Sequence, residues 1–211
     1  MSSSMSASRW SRVGRFGLAG VALLLVSGVF AACGKTPISS VSSNTHAASM
    51  PMVAASAPSS NVHLTILAQK PGSSVDGPAY SSTNLTLPAH SLVTITIVNA
   101  DGGDTPLPNG SPFGKVTGVV GGHATVDGLP YTSLALDKVA HTFTLPGFGV
   151  NVPIPGDAPA GHSDITVTFS FQTGAAGSYM WQCMDPCGAD PNGWGGPMTM
   201  KGYMMGTVTV V

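Results

Sequence analysis

Gly177-Ser-Tyr179-Met-Trp-Gln-Cys183-Met-Asp-Pro-Cys187-Gly188, followed by Gly196-Pro-Met198-Thr-Met200-Lys-Gly-Tyr-Met204-Met205-Gly206-Thr-Val-Thr-Val210, is the stretch on which fold and chemistry turn. Two of the chain's three cysteines and six of its ten methionines lie here. Thiolate and thioether are soft donors, the set that selects copper and above all Cu(I). Residues 179–183 follow a Gly-rich turn, and Thr207 to Val210 alternate polar and apolar, so both flanks read as strands. A strand, a ligand-bearing loop and a closing strand let the two ends of one loop grip one ion.

Working outward, period-two runs recur at Val62, Leu64 and Ile66, at Leu85 and Leu87, and at Val93, Ile95 and Ile97. Another occupies Ile165, Val167, Phe169 and Phe171. Such runs, joined by Gly, Pro, Asn and Asp and without a long helical pattern, predict one all-β sandwich or barrel over residues 61–211. Residues 101–138 loosen into a long insertion, read as holding a hairpin between 115–120 and 124–126, and residues 147–161 read as a second loop. Residues 34–60, rich in Ser, Ala, Pro and Thr, bury too little to fold and read as a flexible tether.

The first 33 residues have the composition of an export segment: Arg9, Arg12 and Arg15, an apolar run over 16–30, then Ala31-Ala32-Cys33-Gly34. Ala-Ala-Cys-Gly resembles a bacterial lipobox, in which Cys33 is lipidated. The alternatives are an uncleaved anchor helix or a cleaved, released product. The expectation is an extracytoplasmic domain anchored to the cell membrane, and exported thiols meet an oxidising environment. Past residue 32, five lysines face nine aspartates, with no glutamate and no arginine. That leaves no basic patch for nucleic acid and few of the groups from which acid/base active sites are built. No Gly-x-Ser-x-Gly stands in the chain, and an enzyme is not expected.

Several motifs together resemble the cupredoxin, or blue-copper, family. Leu87 to Asp101 is similar to the early strand ending in Asn, and Ala140-His141-Thr-Phe143 to the segment that supplies the first histidine ligand. Gly177-Ser-Tyr179-Met-Trp-Gln-Cys183 is similar to the thiolate strand, and Met204-Met-Gly-Thr-Val-Thr-Val to the closing one. The insertion before His141 is similar to the sulfocyanin branch, and Cys183-x-x-x-Cys187-Gly188 resembles the copper A loop of cytochrome oxidase subunit II. The resemblance implies a cupredoxin-like Greek-key β-sandwich with copper as cofactor. It points to His141, Cys183 and Met204 as ligands, with Cys187, Met198 or Met200 completing the set.

The chain departs from both loop patterns. Pro191 stands where a copper A histidine would be, and Thr199 or Met200 where a blue-copper histidine would be. His63, His90, His123 and His162 read as surface residues, and Asp185-Pro186 as a turn. Two functions fit. One is electron transfer or copper carriage, with a respiratory-chain redox protein or a copper-trafficking protein as partner. The other is a metal-free interaction module closed by a Cys183–Cys187 disulfide.

Overall fold

The computed structural model describes residues 58–103, 105–156, 164–188 and 192–211. Cys33, His162 and the export segment lie outside them, as does nearly all of the tether. Among the described residues no helix is long and apolar enough to cross a membrane.

Among the described residues eleven strands form: β1 Ser59–Leu67, β2 Ala79–Tyr80, β3 Asn84–Leu87, β4 Leu92–Asn99, β5 Ala124–Val126, β6 Leu129–Tyr131, β7 Val139–Leu145, β8 Val150–Pro155, β9 Ile165–Gln172, β10 Gly177–Gln182 and β11 Met205–Val210. They make two sheets, one ordered β2-β1-β4-β9-β5-β6 and the other β3-β11-β10-β7-β8. This is the expected all-β sandwich, with the cysteine strand and the closing strand paired from Gly177↔Val210 to Gln182↔Met205. The first strand begins at Ser59, two residues before the expected boundary and inside what reads as tether.

Alternation does the work in the first sheet. Along β4, Val93, Ile95 and Ile97 are fully buried, while Thr94 and Thr96 turn outward to meet Ser170 at 2.8 Å and Thr168 at 3.4 Å across β9. The core between the sheets centres on Trp181, fully buried and stacked on Phe143 at 5.0 Å, with Tyr80 edge-on at 4.7 Å. The indole N–H donates to Thr83 O at 2.9 Å, so this large side chain buries no unpaired polar group.

Two loop expectations need correction. The segment 147–161 contains a strand, β8, despite Pro153 and Pro155. It sits at the sheet edge beside β7, the position where a missing N–H is tolerated. The hairpin in the insertion joins Ala124–Val126 to Leu129–Tyr131, not to 115–120. Asp127 (φ 48°) and Gly128 (φ 83°) supply the two left-handed residues of its tight turn.

The rest of the insertion covers the second sheet. Thr117 pairs with Asn151, whose side-chain amide donates to Phe113 O and Lys115 O, and Tyr131 Oη donates to Pro153 O at 2.6 Å. Strand β7 is consequently buried at every position, polar ones included.

Replacing Trp181 by Ala removes the stacked centre of the core and its hydrogen bond. Denaturant unfolding of the Trp181→Ala protein is expected to show a loss of about 3–5 kcal/mol. A loss under about 1 kcal/mol would place the stabilising core elsewhere.

Candidate metal centre

His141 comes from β7, just past a bulge that shifts the register between Val139 and His141. Bulges re-aim side chains, and here the imidazole is fully buried. Its Nε2 lies 2.9 Å from Asp101 Oδ2. Asp101 is itself fixed: its N–H donates to Asn99 Oδ1, and the Asn99 amide donates to the carbonyls of Asp101 and Pro155. With Nε2 engaged, Nδ1 is the free ring nitrogen, buried and without any hydrogen-bond partner. A carboxylate on one imidazole nitrogen sets the tautomer that offers the other as a ligand.

Cys183 follows β10, and its N–H donates to Met204 O at 2.8 Å, which ties the two ends of the loop together. The Thr142 N–H points at Cys183 Sγ from 3.3 Å, while Thr142 Oγ1 accepts the Met184 N–H at 2.7 Å. Cys187 is brought back by a tight turn in which its N–H reaches Asp185 O at 2.8 Å. The next residue must be glycine: a Cβ on Gly188 would collide with the carbonyls of Gly193 and Gly195 and with Met198 Cγ.

Both thiols are free, with Sγ atoms 3.4 Å apart, and Cys187 Sγ lies 3.2 Å from Met198 Sδ. Donor atoms of His141, Cys183 and Cys187 all fall within 4.8 Å of one another. Met198 is buried in the single-turn 3-10 helix Gly196–Thr199, whose carbonyl at Pro197 accepts the Met204 N–H at 3.4 Å. Met204 is fully buried and locked through its main chain to both Cys183 and this turn. Met200, 37 % exposed, lies at the surface. His63, His90 and His123 are exposed, as expected, away from the constellation.

Electrostatics couple these groups. Burial opposes ionisation of Cys183, but the hydrogen bond from Cys187, the His141 imidazolium and the Thr142 N–H outweigh it and hold this thiol well below its usual range. Cys187 is held well above it, by donating to Cys183 and by burial. Burial also works against charge on His141, yet Asp101 and Cys183 raise its pKa to about 9. In turn, the His141 hydrogen bond and charge overcome burial at Asp101 and lower its pKa.

Asp185 stands out. The Asp-Pro turn is where the sequence places it, but its carboxyl is fully buried and neither oxygen has a partner. Burial and the neighbouring Cys183 charge push it up to about 8. Its carboxylate is not one of the donors that come within reach of one another. An unpartnered imidazole nitrogen and an unpartnered carboxyl, flanking two sulfurs in a dry interior, are costly unless a cation is near. The residues present therefore fit a soft metal ion.

No family model and no curated protein sequence matches the chain. Among solved structures it is similar to auracyanin B, at 17 % identity, covering 74 % of this chain and 92 % of that one, with a TM-score of 0.31. Auracyanin A, a "blue" copper protein of the green thermophilic photosynthetic bacterium Chloroflexus aurantiacus, is 14 % identical over 72 % of this chain and 99 % of its own, with a TM-score of 0.35. Rusticyanin from Thiobacillus ferrooxidans is 14 % identical over 72 % and 77 %, with a TM-score of 0.33. At such identities and TM-scores, the ligand set has to be read from this chain's own residues.

Asp185 also sets a pH dependence of the metal-free protein. Its folded pKa of about 8 lies above the ordinary 3.8, so the folded state holds a proton that the unfolded state has lost. Its contribution to stability is complete at low pH and is lost as pH rises from about 4 through 8, at up to about 1.4 kcal/mol per pH unit. Between 6.5 and about 9 the His141 and Cys183 shifts offset each other, one proton being held by the pair in either state. Denaturant titration of the metal-free chain at pH 6.5 and 8 is expected to show this slope, and Asp185→Asn to flatten it. An equal slope in that variant would assign it to another group.

Proposed function

We propose that the domain is a cupredoxin-type copper protein, anchored outside the cytoplasmic membrane through the Cys33 segment, that serves electron transfer or copper carriage for a respiratory or copper-trafficking partner. Copper would be held by His141 Nδ1, Cys183 Sγ and Cys187 Sγ. Met198, whose sulfur is against Cys187, is favoured over the expected Met204 as the thioether, and Met204 then serves to lock the loop. The single observation that carries the proposal is the partnerless Nδ1 of a fully buried histidine facing two free thiols.

Copper bound there would supply a one-electron couple. The chain's own residues do the rest. Asp101 orients the imidazole and makes it a better donor. The Thr142 N–H stabilises the Cys183 thiolate, and the buried surroundings exclude water. A set richer in sulfur than nitrogen favours Cu(I) over Cu(II), so weak visible colour is expected. The Cys187 thiol proton and the His141 imidazolium proton must leave on binding, so uptake falls as pH is lowered.

Metal analysis after Cu(I) loading tests this. The unmodified chain is expected to take up copper and Cys183→Ser to lose it, with His123→Ala unaffected. Met198→Leu should weaken binding about tenfold or more, roughly 1.4 kcal/mol, and Met204→Leu far less. A Cys183–Cys187 disulfide with no uptake after mild reduction would instead favour the interaction module.

A further inference from the structure

The donors are not equally enclosed. His141 and Cys183 are fully buried, whereas Cys187 keeps 9 % of its surface. That surface belongs to the wall of a pocket of about 150 Å³. Ala68, Pro78, Asp101, Thr105 and Pro186 line it together with Cys187. The space is smaller than the ~300 Å³ at which pockets for organic ligands begin. It suits an ion or the tip of one side chain.

Its charge is one-sided. Among the described residues no lysine, arginine or histidine lines it, and the one ionisable group besides Cys187 is Asp101, whose carboxylate is 19 % exposed while Oδ2 accepts from His141. A carboxylate in a concave, weakly screened wall attracts cations and repels anions. Asp101 thus faces both ways, toward the imidazole inside and toward the pocket outside.

We propose that this pocket is the port through which the centre exchanges its ion, as Cu(I) handed over by a thiolate donor, with Cys187 the first protein ligand to engage. This rests on the copper reading above and adds a route and a donor class to it. No electron moves: the bond from Cu(I) to the donor sulfur breaks as the bond to Cys187 Sγ forms, and the Cys187 thiol proton leaves on the displaced thiolate. Cys183, already a thiolate, and His141 then complete the set from the buried side, the His141 Nδ1 proton passing to solvent as that nitrogen binds.

The test is stopped-flow uptake by the metal-free full chain from a Cu(I)–glutathione complex, with copper content measured at equilibrium. Ala68→Trp and Thr105→Trp each place a large ring on the pocket lining, from two separate segments of the chain. Leu129→Trp, at the exposed start of β6 and outside the pocket lining, is the control. Both port variants should load about tenfold more slowly or worse, a barrier rise of roughly 1.4 kcal/mol, yet reach the same final content. The control should match the unmodified chain. If one port variant fails to fold, the other decides. Unchanged rates at full copper content would overturn the port and leave the copper reading standing. No copper at equilibrium in the unmodified chain would end both.

Discussion

The contact between Asp101 and His141 is the constraint on which the centre depends. A fully buried imidazole needs a partner for each ring nitrogen, and Asp101 takes one at 2.9 Å. The other is then left facing two sulfurs with nothing to bond. Everything distinctive about the site follows from that asymmetry. The thiols differ in ionisation because one sits beside the imidazolium and the other donates to its neighbour. A neutral partner at position 101 would leave both the tautomer and the charge balance less defined.

The scaffold serves this contact. Asn99 ends β4 and clamps the start of the insertion to Pro155 on β8, so the loop that carries Asp101 and the sheet that carries His141 are joined at one side chain. The insertion then closes over β7 and β8 and keeps water from their polar residues, where Thr142 and Thr144 of β7 and Asn151 of β8 form one hydrogen-bonded chain. A buried polar network of this kind holds geometry fixed while the loop around Cys187 remains near solvent.

Most of the fold was legible because alternation is a local signal: β1, β4, β9 and β11 stand where period-two runs place them. The edge strand β8 was not, since Pro153 and Pro155 argue against a strand until its edge position is known. His141, Cys183 and Cys187 were legible as candidate donors from chemistry and motif, and the structure brings their donor atoms within 4.8 Å of one another. Asp101 and Asp185 were not. Asp101 stands 40 positions from His141 in sequence, and only the sandwich brings them together. Asp185 reads as half of an Asp-Pro turn, and nothing local says that its carboxyl points inward. The signal available for Asp101 was the Asn99-Ala-Asp101 strand end, which marks the position without its role.

The chain lacks a histidine between Cys183 and Met204, so its chemistry cannot be that of an ordinary blue-copper loop. Cys187 Sγ instead lies 3.4 Å from Cys183 Sγ and 3.2 Å from Met198 Sδ. Copper K-edge X-ray absorption on the loaded domain measures that directly. The geometry predicts two or three sulfur scatterers and one nitrogen from His141, with the edge of Cu(I). A first shell of nitrogen and oxygen alone, without copper–sulfur scattering, would contradict it.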